Sequence, residues 1–260
     1  MIPYIHIPSL DLKIVVIEPF GICVATGILL GFYSMKRRAA RVGLDPEEAH
    51  TMAIWTLLAG FTVAHIVSMV FYFPERLRQK PWEILFIWAP ISSMGGFLGA
   101  FIGSFWYARR KKLNYLAYAD VIVWGLVPGW VLGRLGCSLA HDHPGARSDF
   151  FLAVQYPGGA RHDLGFYEFL FTLLVLLPVT RLLGKKKLPD GFLLLLVSLL
   201  YAPVRFGFDF LRSRDFGNID PRYFGLTAAQ WLTIALFLAG VYLMVLVIRR
   251  GRRVEPSGTV

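Results

Sequence analysis

The fold class predicted for this chain is an all-α polytopic membrane protein with seven transmembrane helices, N-terminus outside and C-terminus inside. Three observations carry the prediction. Of 260 residues, 56% are hydrophobic and only 17% charged, with a mean hydropathy of +0.55, well above the balance of a water-exposed domain. Apolar runs of about 20 residues, the length that crosses the hydrocarbon core of a bilayer, recur along the chain. Basic residues gather at alternate connections between those runs, as expected of a chain that retains them on the cytoplasmic side.

The spans are expected at 14–35, 51–73, 85–107, 119–140, 165–183, 191–211 and 226–248, within one integral membrane domain over residues 1–260. Charges, prolines and glycines punctuate them at Lys36 to Arg41, Pro74 to Pro81, Arg109 to Lys112, an outer loop over 141–164, Lys185 to Pro189, and Arg212 to Gly225. Lys13 is the only base ahead of the first span, which itself carries Glu18, and no small-residue cleavage site follows, so no leader is expected to be removed.

Orientation follows from counting bases. The odd-numbered spans are followed by Lys36, Arg37, Arg38 and Arg41; by Arg109, Arg110, Lys111 and Lys112; by Arg181, Lys185, Lys186 and Lys187; and by Arg249, Arg250, Arg252 and Arg253. The other connections carry fewer bases (Arg76, Arg78, Lys80; Arg147, Arg161; Arg212, Arg214, Arg222), and acids dilute them: Glu75 and Glu83; Asp142, Asp149 and Asp163; Asp215 and Asp220. The net charge of +10 is therefore assigned to cytoplasmic anchoring on anionic lipid, with the bilayer as a partner and nucleic acid not expected. Cys23 and Cys137 both lie in apolar segments and outline neither a disulfide framework nor a metal quartet.

Two residues contradict an otherwise apolar pattern. Arg134 in the fourth span and Arg205 in the sixth are permanently charged, and a charge at the bilayer centre costs from roughly 3 to more than 10 kcal/mol, so an anionic partner is expected for each. In the predicted orientation both lie near the outer ends of their helices, in one leaflet, where lipid phosphate is the available anion. Glu18 begins the first helix, His65 lies in the second, Tyr167 and Glu168 open the fifth, and Asp209 follows Arg205 by four residues, one turn along the same face. His141, Asp142, His143 and His162 stand in the outer loop.

Each of these has a plainer reading. Asp209 neutralises Arg205 and does nothing more; Glu18 answers a helix dipole or the interface; His65 is a hydrogen-bonded core histidine. Trp82, Trp88, Trp106, Trp130 and Trp231 form an interfacial aromatic belt. Gly95, Gly96, Gly99 and Gly103 allow close helix packing. His141, Asp142 and His143 are a weak zinc signature without an assigned third ligand, and neither metal nor cofactor is expected.

The stretch Gly133-Arg134-Leu135-Gly136-Cys137-Ser138-Leu139-Ala140-His141-Asp142 resembles the signature of the bacterial prolipoprotein diacylglyceryl transferase family, Gly-Arg-x-Gly-Asn followed by a second Asn and a Glu. Further resemblances follow in order: Glu18-Pro19-Phe20-Gly21, then Ser93 through Gly99, then His162 through Tyr167-Glu168, then Arg205 with Asp209, Phe210 and Arg212, and Gln230-Trp231. The resemblance spans about residues 18 to 240 and implies the same seven-helix topology, in the bacterial cytoplasmic (inner) membrane with the site facing outward. The departures are Cys137 and Ala140 in place of the two asparagines, Asp142 for the Glu, Phe20 for a Tyr, and Met94 for a His preceding the helix-three glycine pair.

The resemblance implies transfer of the diacylglyceryl group of phosphatidylglycerol to the thiol of a lipobox cysteine in a prolipoprotein signal peptide, with glycerol phosphate leaving. That chemistry requires a thiolate from a group of ordinary pKa near 8.5 and preorganised cations for the departing phosphate. Arg134 and Arg205 are assigned to the phosphate, whose oxygens match a guanidinium fork. With Met94 at the histidine position, Glu168, His162 or Asp142 accepts the proton. Asp209, Gly95, Gly96, Phe20 and Tyr167 complete the expected substrate contacts. A different class is also open: a phospholipid-binding or translocating protein in which the same arginines hold a headgroup and nothing reacts.

Overall fold

A computed structural model describes residues 1–5, 7–11, 13, 16–85, 92–215 and 222–254, and at positions 10, 16–17, 93–94 and 250–254 the backbone only. Trp88, Asp220, parts of the first and third expected spans, and the side chain of Met94 thus lie outside what is described.

The helices are α1 (Pro19–Arg41), α2 (Pro46–Phe71), α3 (Pro74–Gln79), α4 (Ser93–Lys111), α5 (Tyr115–Ala140), α6 (Leu164–Phe171), α7 (Leu177–Leu183), α8 (Phe192–Phe208) and α9 (Ala228–Val254). The strands are β1 (Ile2–Pro3), β2 (Leu10–Asp11), β3 (Val16–Ile17), β4 (Pro144–Arg147), β5 (Val154–Tyr156), β6 (Gly159–Asp163), β7 (Arg222–Tyr223) and β8 (Leu226–Thr227). The protein is mostly helical, and six stretches of described helix are long and apolar enough to cross a membrane: Pro19–Arg41, Pro46–Phe71, Tyr115–Ala140, Leu164–Leu183, Phe192–Leu211 and Ala228–Arg249. Large apolar side chains along them stand exposed, among them Leu29, Leu58, Leu174 and Leu238, a distribution suited to hydrocarbon and unsuited to water.

Several boundaries differ from expectation. The first span does not begin at 14: Val16–Ile17 pairs antiparallel with Leu10–Asp11, and the helix starts at Pro19, whose missing N–H costs nothing in a first turn. The second begins five residues early, at Pro46, because Asp45 caps it by accepting from the Glu47 and Glu48 amides at 2.8 and 3.4 Å. Pro81–Leu85 forms a 3-10 turn, and α4 starts only at Ser93. Lys36 to Arg41, expected as a connection, continues α1.

The chain divides into two compact units, Met1–Ser34 with Val123–Val260, and Met35–Ile122. In the smaller unit α2 packs along α4, and a Cβ at Gly99 would stand 2.2 Å from the Ala59 carbonyl oxygen, so the seam admits only glycine there. His65 is fully buried in this unit and its Nε2 donates to the Glu83 carbonyl at 3.0 Å, as the core-histidine reading expects.

In the larger unit α1 and α5 approach closely enough that a Cβ at Gly27 would meet the Gly129 carbonyl oxygen at 2.6 Å. Val123, Val127, Leu176, Val197 and Tyr201 form a core joining α5, α8 and the segment between α6 and α7. That segment, Thr172–Leu176, is a π-helical turn, and its cause is local: Pro178 has no N–H for the Leu174 carbonyl, so the ladder shifts one turn after Glu168. The stretch 141–164 is no irregular loop. Its three strands join the N-terminal β1 in a sheet of order β1-β5-β6-β4, antiparallel except for the parallel β1–β5 pair.

Candidate functional site

The site is assembled within the larger unit from α5, α6, α8 and the sheet. Arg134 lies on α5 with its side chain 17% exposed, and its Nη2 is 2.7 Å from Oε2 of Glu168, which α6 buries almost completely. The same carboxylate oxygen accepts the Tyr201 hydroxyl of α8 at 2.9 Å. Tyr201 is in turn held by the Trp130 ring, with centroids 4.5 Å apart. Arg205 follows Tyr201 by four residues on α8, one turn along the same helical face, which brings a second guanidinium to the neighbourhood of the buried phenol. Each guanidinium has a carboxylate beside it, Glu168 for Arg134 and Asp209 for Arg205. Two largely buried forks in a site walled by apolar helices still offer further N–H donors of the kind a phosphate takes in pairs.

Arg205 has its own partner. It pairs with Asp209 one turn on, as the i, i+4 spacing predicts, but Asp209 is not its private counterion: Oδ1 also accepts from Arg212 Nε at 3.0 Å, and Oδ2 accepts the Thr227 hydroxyl. Gln230 completes the clasp. Its Oε1 accepts from the Thr227 amide at 2.9 Å and its Nε2 donates to the Phe206 carbonyl at 3.1 Å. Asp209 therefore ties the end of α8 to the start of α9, in keeping with the structural-pair reading, while leaving the charge of two arginines shared over one acid.

The sheet positions the second group of residues. Asp163 caps α6, accepting from the Phe166 amide at 2.9 Å through Oδ1, while Oδ2 accepts from the Tyr156 hydroxyl at 2.9 Å and from His141 Nδ1 at 2.6 Å. Burial beside Asp163 pushes the Tyr156 hydroxyl well above its ordinary pKa, so it stays a donor. His162, next in the strand, shares a 2.9 Å hydrogen bond with the Tyr167 hydroxyl through Nδ1, and burial lowers its pKa, which favours the neutral imidazole. Phe150 lies against both rings, at 6.0 and 6.4 Å. Arg161 donates to both Asp215 oxygens, at 2.9 and 2.7 Å, and fastens the chain after α8 to the sheet; its hydrogen bond holds the Asp215 carboxyl far below the usual range.

The sequence-predicted residues thus fall into groups. Arg134, Glu168 and Arg205 converge at Tyr201; Asp209 is beside Arg205; His162 is paired with Tyr167. Asp142 is exposed, in contact with His143, and belongs to a cluster with Cys137. Phe20 is 39% exposed and lies against Gly136, where a Cβ would meet its ring at 3.1 Å. Gly95 and Gly96 are in the smaller unit, where Gly95 packs directly on Val63 and Ala64 of α2. Sequence reasoning missed Tyr201, Asp163 and Thr227. Tyr201 had a usable signal, standing four residues before Arg205 on the same helical face. Asp163 had another, an acid immediately ahead of an apolar helix.

Comparison with known proteins adds an independent line. The family model described as prolipoprotein diacylglyceryl transferase matches residues 9–246. Among curated relatives, the phosphatidylglycerol–prolipoprotein diacylglyceryl transferase of Chromohalobacter salexigens is 30% identical, covering 92% of each chain. Those of Staphylococcus xylosus and Nitratidesulfovibrio vulgaris are each 28% identical, covering 97% and 91% of this chain and 92% and 94% of their own.

Proposed function

Because the chain belongs to the prolipoprotein diacylglyceryl transferase family, we propose that it transfers the diacylglyceryl group of phosphatidylglycerol to the thiol of a prolipoprotein lipobox cysteine. The observation that carries the reading at the level of the site is the pair of guanidiniums, Arg134 and Arg205, sharing the surroundings of Tyr201 and Glu168. Sulfur attacks the glyceryl carbon, the carbon–oxygen bond to phosphate breaks, and glycerol phosphate departs with the electron pair. Both arginines hold the phosphate and meet the charge that develops on it. Glu168 serves chiefly to aim Arg134. Its Oε2 is already occupied by a guanidinium and a phenol.

His162 is the base we assign. It is neutral, half-buried, hydrogen-bonded to Tyr167, and carried on a strand fixed by its neighbour Asp163. Phe20 is assigned to the lipid, whereas Gly95 serves the α2–α4 seam. The orientation inferred from the bases, N-terminus outside and C-terminus inside with seven spans, puts the sheet and the arginines on the outer face of the bacterial cytoplasmic membrane, where a lipobox emerges. The described part of the third span is α4. Incubating purified protein in detergent with phosphatidylglycerol and a lipobox peptide tests the reading: mass spectrometry should find the peptide heavier by one diacylglyceryl group. Lipid binding without that product would instead support a phospholipid-binding or translocating protein of the same fold.

A further inference from the structure

We propose that Cys137, Asp142 and His143 form a zinc site whose fourth position takes the thiolate of the acceptor cysteine. The role of the site rests on the transferase reading; its existence does not. Cys137 Sγ, a carboxylate oxygen of Asp142 and a ring nitrogen of His143 all lie within 4.8 Å of one another. Tetrahedral zinc at about 2.0–2.3 Å from its ligands separates them by roughly 3.3–3.7 Å, so Cys137 needs to close by no more than about 1.5 Å, while Asp142 and His143, hydrogen-bonded to each other, part to admit the ion. The turn that brings them together is firmly held. His141 ends α5 with φ of 50°, in the left-handed region, and its ring is pinned between Asp163 at 2.6 Å and a stacked Tyr4 at 4.2 Å. Residues 142 and 143 return toward Cys137 from that anchored point.

The donor set selects the ion and its use. One thiolate, one imidazole and one carboxylate suit zinc better than calcium or magnesium, which take oxygen ligands. Three protein ligands with an open fourth position are the pattern of a reactive site; a closed set of four would be structural. Thiolate and carboxylate cancel the charge of the ion, and a second thiolate makes the site anionic. Arg134, with Nη1 3.9 Å from Cys137 Sγ, is placed to meet that charge. Cys137 and Asp142 stand where the family signature has Asn and Glu, and the chain also carries Met94 where the family has a histidine. A metal that stabilises the acceptor as thiolate reduces the demand on a base.

The chemistry balances without redox change. The acceptor thiol binds the ion and loses its proton to His162; the metal-held sulfur attacks the glyceryl carbon, a carbon–sulfur bond forms and the carbon–oxygen bond to phosphate breaks. The electron pair leaves on glycerol phosphate, beside Arg134 and Arg205, and zinc remains divalent throughout.

Metal binding is measured apart from transfer. Chelator-treated protein in detergent, titrated with zinc alone, should bind about one equivalent by calorimetry and elemental analysis. With cobalt in its place, a sulfur-to-metal absorption in the near ultraviolet should appear, vanish in Cys137→Ser, and strengthen on adding a lipobox peptide but not its serine analogue. Asp142→Asn and His143→Gln alter partly exposed residues and should weaken zinc by more than the roughly 10- to 100-fold that losing a mere supporting contact brings. No bound metal, or unchanged affinity in all three variants, would overturn the site, and full transfer by metal-free protein would overturn its role. A band indifferent to the peptide would overturn the role of the fourth position. Cysteine-dependent zinc binding without any lipid transfer would sustain the site and sink the transferase reading.

Discussion

The variants Arg205→Ala and Asp209→Ala separate phosphate binding from scaffolding, because the structure makes their costs unequal. Removing Arg205 leaves Asp209 held by Arg212 at 3.0 Å and by the Thr227 hydroxyl, so the fold loses one charge-assisted contact, about 1.5–3 kcal/mol. Removing Asp209 strands the buried Arg205 guanidinium and takes one partner each from Arg212 and Thr227, a break of the kind that costs roughly 3–5 kcal/mol. Activity should rank the other way. Arg205→Ala removes a cation from the departing phosphate and should lower turnover by about 10²–10³-fold, comparable to losing a preorganised donor to a developing oxyanion. Asp209→Ala should keep more transfer per folded molecule. The assay is single-turnover transfer to a lipobox peptide, normalised to the folded fraction from denaturant unfolding in the same detergent. In the double variant both charges are gone, so stability should recover toward that of Arg205→Ala while transfer stays low. A double variant that regains both would refute the phosphate role and leave the two residues as a structural pair.

Other outcomes follow from the same geometry. Arg134→Lys keeps the charge but not the fork that reaches Glu168 at 2.7 Å and Cys137 at 3.9 Å, and transfer should fall at least about 10-fold in steady-state kinetics; unchanged turnover would remove Arg134 from the site. Because burial lowers the His162 pKa below its ordinary value near 6.5, the imidazole is neutral at pH 7 and protonates only as pH falls, so the parent's rate should drop on the acid side. His162→Gln should lose roughly 10²–10⁴ in rate and that acid limb with it. The linkage has the same sign: the unfolded histidine takes its proton first, so its contribution to stability also declines as pH falls through that range. Single cysteines at Ser148 and at Ser257, the latter outside the described residues, should label differently with an impermeant thiol reagent on intact cells, 148 reactive and 257 protected; the reverse pattern would invert every assigned loop.

What was legible in the sequence was what hydrocarbon forces. An arginine in an apolar run is costly anywhere in a bilayer, so Arg134 and Arg205 announced themselves without any tertiary information, and Asp209 followed from helical spacing. Helix starts were legible only where a cap or proline is read as a boundary: Pro19 and Pro46 fix two of them, and hydropathy alone misplaced both. The sheet was not legible, since its strands of two to five residues carry mixed polarity and acquire register only from pairing across the 141–164 segment. Nor were the partners of the charges. That Glu168 meets Arg134, and that Asp209 serves three donors, depends on how α6, α8 and α9 pack, which spacing along one helix does not encode.

The distribution of departures from the family signature has a physical logic. Arg134, Glu168, Tyr201, Arg205 and Asp209 lie in or at the end of apolar helices, and each charge has a partner whose loss would be expensive in such a setting. Substitution among them is constrained by one another and, in the proposed reaction, by the phosphate as well. Cys137 lies in the last turn of α5 and is buried, whereas Asp142, just beyond it at the join to the sheet, is exposed, where a charge is less costly to change. Met94 lies in the other unit, on α4. In the proposed reaction the cations assigned to the leaving phosphate match the family signature, whereas the departures fall on positions assigned to preparing the nucleophile, which requires that some other group generate the thiolate. Restoring the histidine by Met94→His tests that division: transfer should stay near its starting level or rise. A fall of more than about 10-fold would mean that position 94 is now tuned to a different partner and that the two halves of the reaction did not change independently.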